Sequence, residues 1–279
     1  MRKQAVVAVI SAIIFFCGSL AACSSEGKDA SKDSTEQETT SNHNEDQEQQ
    51  NKEDESGNEK EHDTSSDLDQ PESSASDSSQ SANAQQLRDQ LKMGEAAIKL
   101  PTSFPEQEDD AVKGDISTNK EQTYTVNYQN EDKAPLAEMS ATQYDNSDQS
   151  IAKIEKFRDG KQTKPREEAS VDLGHGINGY IEGAAGNLYL SWEEGNWLIV
   201  IHSLNQDQLD QPAIARQMVD YLEKYTLPAP DEKGCIVVDY KQGGNDVTVD
   251  IRWQEGANVY QLKTEQVPLN ALQMATSIE

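Results

Sequence analysis

The sequence predicts an α+β domain, an antiparallel sheet with helices packed on one face, preceded by a long disordered tether. Three observations predict it. Short apolar runs of period two, punctuated by glycine turns, fill much of the stretch from Tyr124 to Leu262, as expected of half-buried strands joined in hairpins. Segments of helical spacing follow those hairpins, and one hairpin-plus-helix unit occurs twice. From residue 24 to 83 the composition is too polar and too acidic to build a core.

Taken in order, the chain starts with basic Met1-Arg2-Lys3, an apolar run from Ala5 to Phe16, and Leu20-Ala21-Ala22-Cys23. A membrane-spanning helix needs about 20 consecutive apolar residues. This run spans twelve residues, Ser11 among them, before Cys17, Gly18 and Ser19 interrupt it. Residues 1–22 resemble a bacterial lipoprotein signal peptide, with Leu20 to Cys23 as its lipobox. The resemblance implies diacylglyceryl transfer to the Cys23 thiol and cleavage between Ala22 and Cys23. It also implies a mature chain whose partner is the lipid bilayer, held through the Cys23 lipid on the extracytoplasmic face of the cell membrane. Two or three acyl chains, at about 0.8 kcal/mol per buried methylene, anchor a protein stably.

Residues 24–83 contain no aromatic residue and one large aliphatic, Leu68, with 18 Asp and Glu against 4 Lys. Such a segment cannot offset the entropy of ordering it, and its charges repel. It reads as a solvated spacer whose root-mean-square reach is roughly 40–45 Å. His43 and His62 stand alone in it, without metal-ligand spacing. From residue 84 onward there are 33 Asp and Glu against 18 Lys and Arg, within a formal net charge of −27 for the whole chain. That excess of acid argues against nucleic acid as a partner, and against direct adhesion to anionic lipid or wall polymer.

The folded part, residues 84–279, opens with an amphipathic stretch in which Leu87, Leu91 and Ile98 lie near helical spacing until Pro101 and Pro105 end it. Tyr124, Val126 and Tyr128 alternate as a strand, with Leu136 to Tyr144 its partner. Ile151, Ile154 and Phe157 share one side of a helix that Asp159-Gly160 terminates. Strands are expected at Asn178–Glu182, Leu188–Trp192 and Trp197–His202. Cys235, the one cysteine in the body of the domain, precedes Ile236-Val237-Val238 and reads as a small buried hydrophobe on a strand; no disulfide is available to it.

The repeat lies over residues 186–226 and 247–279. Trp192, Glu194 and Gly195 match Trp253, Glu255 and Gly256 at an offset of 61, and Leu188 and Leu190 match Val249 and Ile251. In the helix that follows, Pro212, Ala215, Gln217 and Met218 match Pro268, Ala271, Gln273 and Met274 at an offset of 56. Each glycine suits a hairpin turn of four or five residues, and each proline the first helical turn, where no amide donor is missed. Ile214, Met218, Tyr221, Leu222 and Tyr225 form the apolar stripe of the first helix. This strand, Trp-x-Glu-Gly turn, strand and helix, together with the lipobox, resembles uncharacterised domains of extracytoplasmic lipoproteins and of the outer parts of some anti-sigma factors. The stretch from Gly174 to Trp197 is similar to members from low-GC Gram-positive bacteria. The resemblance implies a lineage and transfers no functional residue.

No catalytic, cofactor or metal motif is present. His175, between Gly174 and Gly176, has Asp172 nearby but no serine or cysteine in a recognisable elbow. His202 reads as a half-buried edge residue, and Gly183 to Gly186 as a turn. Glu106, Glu108, Asp109 and Asp110 form an acidic loop without the spacing of a calcium hand. The expectation is a non-enzymatic binding or structural module without cofactor, its partner an envelope protein or a small ligand. A sensory lipoprotein acting on a membrane receptor and an envelope hydrolase using His175 are the alternatives. Trp192, Trp197, Trp253 and His175 are the candidate ligand face, with core packing the competing role for the tryptophans. A hydrolase would gather His175 with carboxylates in a pocket, whereas a binding module would show an apolar patch or sheet face without it.

Overall fold

The computed structural model of the chain describes residues 83–105 and 112–279. The signal segment, Cys23, the acidic tether up to residue 82 and the acidic loop 106–111 lie outside the described residues. Among those described, no helix is long and apolar enough to cross a membrane.

Among the described residues ten strands form one sheet. They are β1 (Lys113–Lys120), β2 (Thr123–Gln129), β3 (Pro135–Gln143), β4 (Ser170–Asp172), β5 (Asn178–Ala184), β6 (Asn187–Glu194), β7 (Trp197–Leu204), β8 (Gly234–Tyr240), β9 (Val247–Glu255) and β10 (Asn258–Thr264). Their spatial order is β1-β2-β3-β10-β9-β8-β7-β6-β5-β4. Every neighbouring pair is antiparallel except β7 and β8, which run parallel. The helices are α1 (83–88), α2 (Ser147–Arg158), α3 (Gln211–Leu222) and α4 (Pro268–Thr276). Three antiparallel strands followed by a helix therefore recur in chain order: β1-β2-β3-α2, β5-β6-β7-α3 and β8-β9-β10-α4. The antiparallel α+β architecture is the one the sequence predicts.

The helices do not share one face, which corrects the expectation. Ile199 and Ile201 of β7, Ile236 and Val238 of β8, and Val249, Ile251 and Trp253 of β9 bury against α3 and α4. Leu198, Val200 and Cys235 on the opposite face gather with Phe157 of α2, which packs across β8, β9 and β10. The cause is in the strands themselves. Trp197 to Ile201 and Cys235 to Val238 are continuous apolar runs, as befits a parallel pair covered on both sides, so a second layer is required.

Why α2 leaves the inner face of its own strands is equally local. That face of β1 to β3 is covered by the segment 83–105, whose Leu87, Leu91, Met93, Ile98, Leu100 and Phe104 join the main core. The Tyr124 hydroxyl donates to the Lys99 carbonyl (2.6 Å) and accepts from the Lys99 amide (2.9 Å), and the Phe104 and Tyr128 rings lie 4.8 Å apart. The segment is not one long helix. After α1 it runs as a turn and a 3-10 turn at Glu95–Ala97, although Leu87, Leu91 and Ile98 are buried as their spacing requires. β1 is a strand that the apolar pattern does not reveal, because Lys113-Gly114-Asp115-Ile116-Ser117-Thr118 is polar and half exposed.

α2 starts at Asn146, whose side chain caps the Gln149 amide at 3.0 Å. Ser150 donates to the Gly256 carbonyl (2.8 Å). The Arg158 guanidinium ties the other end to Glu193 (2.9 Å) and to the Gly234 carbonyl (3.3 Å). α3 is capped by Asp210 on the Ala213 amide, with Pro212 in its first turn, and α4 begins at Pro268, both as the sequence predicts. Tyr225 falls beyond the end of α3 and is 52% exposed, so it does not belong to the buried stripe.

Candidate functional site

The Trp-x-Glu-Gly hairpins close more tightly than expected. Glu194 pairs with Trp197 and Glu255 with Asn258, which leaves loops of two residues rather than four or five. Gly195 and Gly256 each take φ +55° at the first central position, the type II′ pattern in which glycine is preferred. The tryptophan two residues before each turn is buried, and its indole Nε1 donates to the turn glutamate: Trp192 to Glu194 at 2.7 Å, Trp253 to Glu255 at 2.8 Å.

The tryptophans form no exposed ligand platform. Trp192 is 2%, Trp197 6% and Trp253 0% exposed. Trp197 and Trp253 lie together, ring centroids 6.3 Å apart, and Trp253 stacks on Tyr260 at 5.0 Å. Trp197 Nε1 donates to the Pro228 carbonyl (3.2 Å). Trp197 lines a cleft, a hollow of about 400 Å³ shared with Glu194, Leu222, Tyr225, Leu227 and Pro228.

His175 sits beside this cleft, in a turn where Gly174, His175 and Gly176 all have positive φ (+89°, +53° and +79°). The Ile177 amide donates to the Gly174 carbonyl at 2.8 Å, so His175 and Gly176 are the central pair of a β4–β5 hairpin turn of type I′ character. His175 Nε2 lies 2.9 Å from Asp220 Oδ1, and Nδ1 3.8 Å from Glu223 Oε2. Burial raises the Glu194 carboxyl above the usual carboxylate range; the Trp192 hydrogen bond opposes the rise, Glu223 adds to it and His175 again opposes it. His175 is thus gathered with carboxylates, but at an exposed surface, and its ring nitrogens meet carboxylates rather than a hydroxyl or thiol. Among the described residues no three His, Cys, Asp or Glu side chains form a group able to hold a metal ion.

His202 lies on β7, an interior strand and not an edge. Its Nδ1 is 2.6 Å from Asp239 Oδ1 and its Nε2 2.9 Å from Asn187 Oδ1, and its ring stacks on Tyr189 at 4.7 Å. Partial burial would raise the Asp239 carboxyl, but hydrogen bonds from Lys241 and His202 outweigh it and hold the group below its usual range. Cys235 is fully buried on β8, and burial pushes its thiol up to about 12, which removes it as a nucleophile at neutral pH.

A second site escapes the sequence analysis. Between α2 and the sheet lies a groove of about 410 Å³ lined by Ser140, Thr142, Tyr144, Lys153, Lys156 and Arg252, with Phe157 and Gln261 beside them. Arg252 lies over the Phe157 ring at 3.9 Å and is held by Asp250 through a pair of bonds of 2.9 and 2.6 Å. Lys153 rests over the Tyr144 ring at 5.5 Å. Neither Lys153 nor Lys156 has an anionic partner among the described residues. A neighbouring hollow of about 640 Å³ is lined by Lys156, Arg158, Gln162 and Lys233, together with Glu155 and Asp159. Residues 150–166 carry six Lys and Arg against two acids, a local reversal of the chain's charge and the signal that could have located this groove.

No protein-family model matches the chain, nor does any curated protein or any solved structure.

Proposed function

We propose that this chain is a membrane-anchored extracytoplasmic lipoprotein whose α+β domain binds a ligand or partner at the cell envelope and does not transform it. The observation that carries the anchoring is Leu20-Ala21-Ala22-Cys23 behind a short apolar run and a basic start. Two arrangements in the domain support binding over catalysis. The groove along α2 offers two lysines without an anionic partner among the described residues and hydroxyls without a nucleophile–base pair, and the His175 ring nitrogens meet carboxylates at an exposed turn. A sensory role would use the same surfaces against a receptor domain.

The repeated strand, turn and helix order supports a further reading, that the domain arose by duplication of one β-β-β-α unit. The matched Trp-x-Glu-Gly turns of its second and third units are the sequence trace of that event.

The test of anchoring is metabolic labelling with a fatty-acid analogue, followed by fractionation. Wild-type chain takes up label and stays with the membrane, while Cys23→Ser takes up none and either leaves the membrane or persists as uncleaved precursor. Unlabelled wild type overturns the reading.

A further inference from the structure

We propose that the groove between α2 and the sheet binds a linear phosphodiester polymer, an extended chain with one negative charge per repeating unit. The proposal rests on the reading of the domain as a binding module and names the ligand class of one site. Lys153 and Lys156 stand at i and i+3 on α2, about 5–6 Å apart at Cβ, and both line the groove. They form a pair of charges along its length. Lys156 also borders the neighbouring hollow, where Arg158 and Lys233 are already paired with Glu193 and Glu155, so the charges on offer are those of the lysine pair. A ligand with repeated charges can meet both lysines; a lone anion meets one.

Nearby acids do not cancel these lysines. Glu155 is engaged by Lys233 at 2.5 Å, Asp250 by Arg252 at 2.6 Å and Glu193 by Arg158 at 2.9 Å, leaving Asp159 in the neighbouring hollow as the exception. The opposite wall supplies the Ser140 and Tyr144 hydroxyls, donors suited to phosphate oxygens, while the Thr142 hydroxyl is bonded to that of Thr123 at 3.3 Å. The Arg252 fork, which would serve carboxylate and phosphate alike, is already spent on Asp250. The two ammonium groups, without an anionic partner among the described residues, are point charges of the kind that bind phosphate oxygens.

A flat anionic bilayer is a poorer fit. The domain carries 33 acids against 18 bases, and a surface approaching it broadly meets that excess, whereas a thin polymer lying in the groove meets the lysines within about one Debye length, near 8 Å at physiological salt. The overall acid excess that argued against wall polymers is thus reversed locally.

The experiment uses the full-length chain anchored in phosphatidylcholine nanodiscs, with a fluorescently labelled poly(glycerol phosphate) chain as probe. The polymer binds with an affinity that falls as salt rises. Lys153→Gln/Lys156→Gln lowers the affinity about tenfold or more and reduces the logarithmic salt slope by about two, one per lysine removed. Lys224→Gln, an exposed lysine on α3's exit, leaves both unchanged, and all three proteins keep the wild-type melting temperature. No polymer binding, or equal binding by the double variant, overturns the proposal. Displacement by orthophosphate at equal phosphate concentration overturns it in favour of an isolated anion site. Loss of polymer binding in phosphatidylglycerol nanodiscs overturns it in favour of lipid headgroups. Failure to bind leaves the anchored module standing, whereas cleavage of the polymer overturns the module reading itself.

Discussion

Trp192 and Glu194 are joined by a hydrogen bond from the indole Nε1 to the carboxylate, 2.7 Å long. Residues two apart on a strand project from the same face, so the glutamate at the hairpin tip can reach back over the buried ring. A buried indole N–H needs such an acceptor. Trp253 and Glu255 repeat the arrangement, which gives the Trp-x-Glu-Gly pattern a physical meaning: core residue, acceptor, then the glycine that permits the turn.

Replacing either ring should separate burial from the hydrogen bond. Trp192→Ala or Trp253→Ala is expected to cost about 3–5 kcal/mol through lost packing. Trp192→Phe keeps most of the apolar surface but leaves the half-buried Glu194 without its donor, at about 1–3 kcal/mol. Urea denaturation reads both. A phenylalanine variant as stable as wild type would show that the bond contributes nothing.

Two carboxyls should give opposite pH dependence. The folded pKa of Glu194 is raised by burial, so the fold holds its proton more tightly than the unfolded chain does. Stability from this group is present below the unfolded value of about 4.3 and is lost as pH rises through the raised folded value. Glu194→Gln should therefore gain on wild type between pH 4 and pH 7. Asp239 is held low despite partial burial, by Lys241 and His202; its contribution is present above about 3.9 and is lost as pH falls through its folded value. Asp239→Asn should lose most on wild type at neutral pH and converge with it in acid. Melts across that range check both signs.

Gly234 and Gly183 make a matched pair of glycine tests. A Cβ on Gly234 would meet the Trp197 ring at 2.5, 2.7 and 2.8 Å, and that ring is fixed by Trp253 and by its bond to Pro228. Gly234→Ala should cost about 1–3 kcal/mol by overpacking. A Cβ on Gly183 meets only the Asn187 carbonyl at 3.9 Å, so Gly183→Ala should change stability by less than about 0.5 kcal/mol. Equal effects at the two positions would contradict the packing described.

His175 tests backbone against chemistry. Its φ of +53° suits Gly or Asn, and His175→Gly should melt close to wild type. A β-branched side chain resists that conformation, so His175→Val should cost about 1–2 kcal/mol. If glycine and valine prove equally damaging, the side chain and its carboxylate partners matter more than the turn.

Much of the fold was legible because it depends on local order. The helix carrying Ile151, Ile154 and Phe157 with its stop at Asp159, the prolines opening α3 and α4, the strands around Val126, Leu190 and Ile199, and the burial of Cys235 all follow from periodicity and turn residues. The candidate site was less legible. His175 is legible as a histidine between two glycines, but its carboxylates, Asp220 of α3 and Glu223 at its end, lie 45 and 48 residues away, and no local pattern records that approach. The tryptophans carried two readings in the sequence, and only burial decided for the core.

By itself the sequence determined the antiparallel α+β class, the repeated Trp-x-Glu-Gly hairpins and the strand interiors, since each follows from which residues avoid water and which permit a turn. Tertiary structure alone decided that β3 pairs with β10, that β7 and β8 lie parallel, and that α2 crosses to the far face and opens a cationic groove there. Those outcomes depend on which apolar surfaces compete for the same cover. Residues 83–105 occupy the inner face of β1 to β3, the double-sided strands β7 and β8 demand a second layer, and no window of sequence holds both surfaces at once.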